Sequence, residues 1–294
     1  MQNQIYSLIN EQLLHWELAR KNNFALSSGL QKKLNFGSFS VYIKHNASRV
    51  ASLKANIDEK SIKERPCFLC AENRPEVQKG VEIGDFTTLL NPYPIFENHL
   101  TIARKTHSQQ EILPCFTDFV RFAEILPDFA IFYNGAKCGA SCPDHQHFQA
   151  APKASFPVLS DIKFNSENLK NLHKTQKYRI FSIQNYLRNL LCIEADNAET
   201  LKKIFEQEYF RLQNGENSEP MFNILLVIEK GIYRLVIFPR KAFRPQQFFA
   251  KNEKERLLFS PGTVEMSGIF VTSDEDTFAK ASKNDIIDIY SQIS

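Results

Sequence analysis

Two histidines and a glutamine stand at every second position in the middle of the chain, at His145, His147 and Gln149. Alternate side chains of an extended strand share a face, so these groups should point one way, with Gln146 and Phe148 pointing the other. A neutral imidazole in such a place can attack phosphorus and form a covalent phospho-histidine-type intermediate. The spacing therefore indicates an anion site that contains a nucleophile.

A turn of small residues precedes the two histidines and follows the apolar run at residues 129–133, which predicts a buried strand. Gly139, Ala140 and Ser141 allow backbone N–H groups to approach a phosphate closely. We expect Ser141 and these N–H groups to stabilise charge on a transferring group. The alternative interpretation is that two histidines in a strand are ordinary half-buried residues, since a two-histidine pattern occurs in many chains.

The segment from Asn134 through this turn to Gln149 resembles the active-site segment of the histidine triad (HIT) superfamily. It is most similar to the transferase branch, in which glutamine replaces the third histidine. That branch includes galactose-1-phosphate uridylyltransferase, diadenosine tetraphosphate phosphorylase and GDP-L-galactose phosphorylase. The resemblance implies that His147 is the nucleophile that carries the nucleotidyl group and that Gln149 holds its phosphate. We expect Asn134, Gly139 and Ala140 to contact the substrate.

A Cys-x-x-Cys knuckle bounded by prolines lies upstream, with its thiols at Cys67 and Cys70. Two sulfurs at this spacing can bind one zinc ion, and a closed tetrahedral site needs two further ligands. The resemblance to the uridylyltransferases implies that His107 and His145 supply them, as a structural zinc site. Two alternatives remain open. One is a redox dithiol, although no thioredoxin-like pattern surrounds the knuckle. The other is a pair of packed thiols with hydrogen-bonded histidines.

Composition limits the class of protein. The chain has 294 residues, of which 43% are hydrophobic and 23% charged, and this is typical of a soluble globular protein with a large core. A net charge of +3 is too small to indicate nucleic-acid binding. We see no signal peptide or apolar stretch long enough to span a membrane, so six cysteines are expected to be reduced thiols or metal ligands. We expect a cytoplasmic monomer or homodimer.

Helices are predicted by periodicity over residues 5–20 and 108–126, and a strand over residues 36–43. Residues 151–176 are predicted to form a polar connector. Two polar residues of the first half receive a plain interpretation. His99 is expected to be structural, bonded to backbone in a turn. Arg49, in a loop predicted over 46–60, could reach a phosphate, and a solvated side chain is the preferred interpretation.

Strand patterns continue in the second half, at residues 221–228 and 233–238. Arg240, Lys241 and Arg244 then place three cations at a strand end, which suits phosphate. The alternative is a solvated basic turn. The segment at 259–271, with its Ser-Pro, Glu-x-x-Gly and apolar strand, resembles a late segment of the phosphorylases.

These observations predict an α+β fold in which two HIT-like halves, with antiparallel sheets and packed helices, form one pseudo-duplicated unit. We divide the chain into a lead-in helix at 1–35, a half with the histidine motif at 36–155 and a second half at 156–294. The expected activity is nucleotidyl transfer through His147, from a nucleotide sugar (best a GDP-hexose) or a dinucleotide to phosphate or a sugar phosphate. The alternatives are a uridylyltransferase-like enzyme, a hydrolase of nucleotide conjugates and a nucleotide-binding scaffold without turnover.

Overall fold

The protein is represented by a computed structural model, which describes residues 1–49, 65–164 and 166–294. Most of the loop predicted over 46–60 lies outside the described residues. Within the described part of the chain, no helix combines the length and the apolar character needed to cross a membrane.

A large antiparallel sheet is the centre of the molecule. The strands are β1 (Gln31–Asn35), β2 (Ser40–His45), β3 (Gly80–Ile83), β4 (Phe86–Leu90), β5 (Leu100–Arg104), β6 (Phe129–Asn134), β7 (His147–Pro152), β8 (Leu169–Lys174), β9 (Tyr178–Ile183), β10 (Leu191–Ala195), β11 (Phe222–Glu229), β12 (Ile232–Pro239) and β13 (Ile269–Thr272). Ten of them form one sheet in the order β3-β4-β5-β7-β6-β11-β12-β10-β9-β8, and β1-β2-β13 form a second. The second sheet contains a parallel pair, β2 with β13.

Helices cover the sheets. The α-helices are α1 (Gln2–His15), α2 (Glu17–Ser27), α3 (Phe116–Ile125), α4 (Pro157–Phe164), α5 (Ala198–Gln213), α6 (Gln246–Phe249), α7 (Thr263–Met266), α8 (Glu275–Lys280) and α9 (Lys283–Ile293). Short 3₁₀ turns lie at Ala47–Arg49, Ala71–Asn73, Leu113–Cys115, Lys153–Ser155 and Ser166–Asn168.

The two faces of the large sheet bury different cores because side chains alternate along each strand. On one face, Phe148 and its neighbours pack with residues of α1, α3 and α5. On the other face, Phe132 and Leu225 pack against the small sheet, α4 and α9. A separate small cluster surrounds the cysteine knuckle and also includes Leu89 and Ala103. The face that carries His147 therefore lies between the cluster that contains Phe132 and the small cluster at the cysteine knuckle. A cavity opens on this face.

The predicted α+β fold with two halves and mainly antiparallel sheets is confirmed, and the large sheet is continuous between the halves. Strand β6 of the first half pairs with β11 of the second, with Phe132 opposite Leu225. The small sheet also joins the two, since β2 precedes the histidine motif and β13 follows it. The hydrogen bonds between β6 and β11 in the large sheet thus fix the position of one half relative to the other.

Several predicted elements have different bounds. The helix predicted over 5–20 is two helices, because Trp16 between them adopts an extended backbone with φ −108° and ψ 98°. The helix predicted over 108–126 begins only after a proline-containing 3₁₀ turn at Leu113–Cys115. The strand predicted over 36–43 is Ser40–His45.

The polar connector predicted over 151–176 is wrong. It contains α4 and the edge strand β8, whose side chains are nearly all exposed. An edge strand of this kind carries polar residues on both faces, so the alternation that marks a half-buried strand is missing.

Two glycines form a close contact between the small-residue turn and the C-terminal segment. Gly139 has φ +94°, and a Cβ atom there would lie 2.8 Å from the Cα of Gly262 and 2.9 Å from the carbonyl oxygen of Pro261. A side chain at 139 would meet two obstacles, a left-handed backbone and backbone atoms that have no room to move. Glycine therefore lets the second half of the chain touch the turn beside the histidines.

We predict that Gly139→Ala lowers the free energy of unfolding by about 2–5 kcal/mol, through left-handed strain and overpacking together. Gly215→Ala is the matched control, because Gly215 has φ +80° and nothing within 4 Å of its added Cβ. It should cost about 1–2 kcal/mol, from the backbone alone. Urea unfolding of both variants measures the difference, and equal losses would show that the contact with the C-terminal segment is unimportant.

Candidate active site

A cavity of about 720 Å³ opens on the sheet face that carries His147 and Gln149. Sheet pairing places its floor residues side by side, with Leu89 opposite Thr101, Thr101 opposite Gln149, and Gln149 opposite Phe132. The turn contributes Gly139, Ala140 and Ser141, as predicted from sequence for a substrate site, and the remaining walls come from distant segments. Those segments include Trp16, Arg49, Arg65, Phe68, Tyr93, Arg244, Ser260 and Glu265.

The ring and both backbone groups of His147 are hydrogen-bonded to the protein, and the residue is only 3% exposed. Its Nδ1–H donates to the carbonyl oxygen of His145 at 2.8 Å, so the unprotonated nitrogen is Nε2. Gln110 fixes the backbone: its Oε1 accepts from the His147 N–H at 2.7 Å and its Nε2 donates to the His147 carbonyl at 3.0 Å. Burial lowers the pKa of His147 to about 4. The imidazole is therefore neutral at neutral pH and offers a lone pair.

Gln149 is oriented by His99, a residue for which the sequence predicted only a backbone contact. The predicted contact exists, since Nδ1 of His99 accepts from the Ile95 N–H at 3.2 Å. The other nitrogen must then carry the proton, and it donates to Oε1 of Gln149 at 2.9 Å. This bond fixes the orientation of the amide, so that the NH₂ group of Gln149 remains available as a donor to a ligand. Burial lowers the pKa of His99 to about 3, which keeps its imidazole neutral at neutral pH.

Asn134 lines the cavity at the end of β6 and is engaged by both halves of the chain. Its Oδ1 accepts from the Thr263 N–H and Oγ1–H, both at 2.7 Å, and from Nδ2 of Asn223 at 2.9 Å. The oxygen is thus occupied by protein. What Asn134 can offer to a substrate is its NH₂ group, a donor suited to phosphate.

The three cations predicted to bind phosphate are separated by the fold. Arg244 lines the cavity, where its Nε–H donates to Ser260 at 2.9 Å and its guanidinium stacks 4.1 Å from the Phe248 ring. Its terminal nitrogens have no acceptor among the residues that the structure describes. Lys241 is exposed and is not among the cavity-lining residues.

The structure contradicts the phosphate contact predicted for Arg240. Its guanidinium is 6% exposed and lies beneath the site. All of its nitrogens donate to the protein, at 2.6–3.1 Å, and the acceptors are Asn223 and the carbonyls of Pro261, Ala242, Phe243 and Ile293. A guanidinium that is satisfied in this way organises backbone and has no donor left for a ligand.

Three charged residues in the cavity wall were not among the predicted site residues. The preferred interpretation of Arg49 was a solvated side chain, with a phosphate contact as the alternative, and Arg49 lines the cavity, where its Nη1 donates to the Tyr93 carbonyl at 2.8 Å. Arg65, from the knuckle, and Glu265, from the C-terminal segment, also face this space. The only sequence signal for Glu265 is the phosphorylase-like pattern of that segment, and no pattern distinguishes Arg49 or Arg65 from surface arginines.

The four predicted metal ligands are brought together beside the cavity. The donor atoms of Cys67, Cys70, His107 and His145 all lie within 4.8 Å of one another. Individual separations are 3.2 Å from Cys67 Sγ to His145 Nδ1, 3.3 Å from Cys70 Sγ to His107 Nδ1, and 3.2 Å between the two Nδ1 atoms. These are close to the edges of a tetrahedron with bonds of about 2.0–2.3 Å. The donor set therefore fits one tetrahedral ion.

Groups around the four ligands support the same interpretation. Nε2–H of His145 donates to the Arg104 carbonyl at 2.7 Å, so the lone pair of Nδ1 faces the two sulfurs. A carboxylate oxygen of Asp144 lies 3.8 Å from Nε2 of His107. A hydrogen bond with Cys142 lowers the pKa of Cys67, whereas burial raises the pKa of Cys70 to about 11, so the metal assignment rests on the geometry of the four donor atoms.

Comparisons with known proteins agree with this fold. One family model, described as a domain of unknown function (DUF4922), matches residues 8–152, and a second, described as the GDPGP1-like C-terminal domain, matches residues 163–294. The crystal structure of yeast Ap4A phosphorylase Apa2 aligns with a TM-score of 0.60 and 13% identity, over 94% of this chain and 95% of that one. Its complex with Ap4A aligns with a TM-score of 0.54 and 13% identity, over 95% and 96% of the two chains. No curated protein matches the sequence.

The second half of the chain is thus similar to the GDPGP1-like C-terminal domain, and the chain as a whole has the fold of Ap4A phosphorylase Apa2. The low identity means that the structural likeness establishes the fold, and the chemistry must be argued from the residues themselves. Within this fold, His147 and Gln149 lie on one face of a central strand, next to the cluster of Cys67, Cys70, His107 and His145.

We predict that the buried neutral histidines make the fold sensitive to acid. Unfolded histidines take up protons below about pH 6.5, whereas His99 and His147 stay neutral in the fold until about pH 3 and 4. The free energy of unfolding should therefore fall as the pH drops through this window. Between pH 6 and 4, His99→Gln should reduce the slope by up to about 1.4 kcal/mol per pH unit. Urea unfolding measured across this range tests the prediction, and an unchanged slope would mean that His99 is protonated in the native protein.

We also predict that purified protein carries about one metal ion per chain, bound by the tetrahedral cluster. Cys70→Ala should remove it, because three ligands bind far more weakly than four. Cys192→Ala is the control, since it truncates an equally buried cysteine in β10, away from the cluster. Metal analysis by mass spectrometry measures the content, and retention of the ion by Cys70→Ala would contradict the assignment.

Proposed function

We propose that the protein is a nucleotidyltransferase or nucleotide phosphorylase that works through a covalent nucleotidyl-His147. The observation that carries the proposal is the hydrogen bond from His147 Nδ1–H to the His145 carbonyl at 2.8 Å. It fixes the tautomer so that the lone pair is on Nε2, in a cavity large enough for a nucleotide. Burial, which lowers the pKa of His147 to about 4, keeps this lone pair available at neutral pH.

The proposed reaction has two displacements. Nε2 of His147 attacks the α-phosphorus of the donor, the N–P bond forms, and the anhydride P–O bond breaks with its electron pair on the departing phosphate. A phosphate oxygen of the acceptor then attacks the same phosphorus, and the N–P bond breaks to return neutral His147. A phosphate leaving group needs little protonation, so no acid is required at Gln149. The Gln149 NH₂ group, held by His99, hydrogen-bonds a phosphoryl oxygen as charge builds up.

We propose zinc for the ion held by Cys67, Cys70, His107 and His145, because two thiolates with two imidazoles suit it. Zinc would act structurally, as a crosslink between the knuckle and the strand that carries the nucleophile. His145 is the link, since it is a ligand of the ion and its carbonyl also accepts the hydrogen bond from His147.

We propose a nucleotide sugar, best a GDP-hexose, as donor. Glu265 and Arg49 lie together in one wall, with an electrostatic interaction between them, and Glu265 is 7% exposed. Burial raises the pKa of Glu265 to about 7, so its carboxyl group is partly ionised at neutral pH. Sugar hydroxyls can hydrogen-bond to the carboxyl group of Glu265 in its ionised or its protonated form. A further phosphate is an anion, so it would bind beside this group only when the carboxyl group has taken up a proton. The guanine base is suggested by the GDPGP1-like C-terminal match.

A dinucleotide is the second candidate, since yeast Ap4A phosphorylase, which has the same fold, is seen in complexes with AMP and with Ap4A. The acceptor in either case would be phosphate or a sugar phosphate.

The test is intact-protein mass spectrometry after brief mixing with GDP-, UDP- or ADP-hexose or with Ap4A. Samples are kept alkaline, because an imidazole N–P bond is labile in acid. We expect a mass gain of one nucleoside monophosphate, which phosphate removes. His147→Ala should form no adduct and lose turnover by roughly a thousandfold or more. His173→Ala, at an exposed position outside the cavity, should behave as the unaltered protein.

The same assay separates the candidate donors. Glu265→Gln keeps an acceptor for the Gly262 N–H, which Glu265 binds at 2.8 Å, but loses the carboxyl group. Its KM for the hexose donor should rise by about 10-fold or more, with little change for Ap4A. Nucleoside monophosphate released without an acceptor would indicate a hydrolase instead. No adduct with any donor, together with tight nucleotide binding, would favour the scaffold without turnover.

A further inference from the structure

Arg65 lies at the start of the knuckle, two residues before Cys67, and its side chain reaches the cavity that contains His147. One edge of its guanidinium is anchored. Nη2 donates to Oδ1 of Asp144 at 2.8 Å and lies 3.5 Å from Sγ of Cys142. The guanidinium also stacks on Phe68, with 5.3 Å between its carbon and the ring centroid. The hydrogen bond to Asp144 and the stacking on Phe68 thus define the direction in which the remaining guanidinium nitrogens point.

The other terminal nitrogen of Arg65 is buried and has no hydrogen-bond partner within residues 1–49, 65–164 and 166–294. A buried charged donor without an acceptor costs free energy, and native proteins rarely keep one without a reason. Because the anchored edge and the Phe68 ring restrict the side chain, it cannot turn to solvent without losing both contacts. An acceptor that enters the cavity with a ligand would satisfy this nitrogen.

The position of Nη2, the anchored nitrogen of Arg65, indicates which part of a ligand would supply the missing acceptor. Cys142 directly follows Ser141, so Nη2 is held at the end of the small-residue turn whose N–H groups are proposed to face phosphate. A guanidinium can bond the protein carboxylate with one edge and a phosphate oxygen with the other. A base carbonyl is a neutral and weaker acceptor, and it would leave the phosphate with fewer cations.

We propose that Arg65 binds a phosphate group of the nucleotide through its free terminal nitrogen, so that the metal-binding knuckle itself supplies a substrate-binding residue. This inference rests on the proposed function, because it assumes that the cavity takes a nucleotide. It also gives the cluster a role in binding, since Arg65 is carried on the same short segment as Cys67 and Cys70 and contacts Asp144 beside His145.

The experiment compares ligands that differ only by the phosphate. Affinities of GMP, AMP and UMP are measured by calorimetry, and those of guanosine, adenosine and uridine by competition, for the metal-loaded full chain. Arg65→Gln should weaken the monophosphates by roughly 10- to 100-fold and the nucleosides by less than about twofold. Arg65→Lys keeps the charge but lacks the planar fork that presents separate edges to Asp144 and to phosphate, so it should recover only part of the loss.

Arg74→Gln is the matched control, because Arg74 belongs to the same knuckle and donates to the Leu69 carbonyl at 2.7 Å without lining the cavity. It should leave nucleotide affinity unchanged. Metal content and the unfolding midpoint of each variant show whether the knuckle remains intact. Equal losses for nucleosides and nucleotides in Arg65→Gln would overturn the phosphate contact in favour of a base contact or a folding defect.

Two further outcomes separate this inference from the proposed function. Monophosphate binding that is unchanged in Arg65→Gln would overturn the role of Arg65 and leave the proposed function standing. Failure of the unaltered protein to bind any of the three monophosphates would overturn both.

Discussion

The side-chain oxygen of Asn134 accepts three hydrogen bonds, and the shape of the site depends on them. Two come from Thr263 of the C-terminal segment and one from Asn223 of β11, at 2.7–2.9 Å. Asn223 in turn accepts from buried Arg240 at 2.6 Å. These groups have little contact with water, so breaking one bond would leave a buried polar atom unsatisfied. The second half of the chain is thereby held against the strand end that supplies the histidine motif.

Neutral polar groups do most of the positioning around His147. Gln110 bonds both backbone groups of His147, and the imidazole of His99 orients Gln149. Amides and neutral imidazoles direct hydrogen bonds without placing a charge beside His147, whose pKa is lowered to about 4 mainly by burial. Cations such as Arg244 and Arg65 line the cavity farther along its walls, where they can meet an anion without protonating the histidine.

Local patterns in the sequence were enough for the face shared by His147 and Gln149 and for the pair Cys67 and Cys70. The family resemblance added the two-half fold and the two histidines that join the cysteines, His107 and His145. Arg65 and Glu265 were missed, and Arg49 was judged solvated, because tertiary contacts alone bring these residues to the cavity. A strand-end arginine such as Arg240 has the same sequence signal whether it faces a ligand or is buried under backbone carbonyls.

Two secondary-structure predictions were wrong for a similar physical reason. Strand β8 is an exposed edge whose polar residues carry no alternation, and Trp16 interrupts an otherwise continuous helical pattern. Trp16 turns the chain there and its ring joins the cavity wall and the core. Packing of one large side chain, which no local propensity describes, decided the break.

The site thus combines one strand that carries His147 with three separately supported walls. His147 is the first residue of β7, a central strand of the ten-stranded sheet. The knuckle brings Arg65 and Phe68, the 3₁₀ turn after β2 brings Arg49, and the C-terminal segment brings Glu265. Each wall is held by its own contacts, so residues of one wall can change without moving His147. Under the proposed function, this division would allow transfer from different nucleotide donors, because the proposed displacement at phosphorus is the same for all of them.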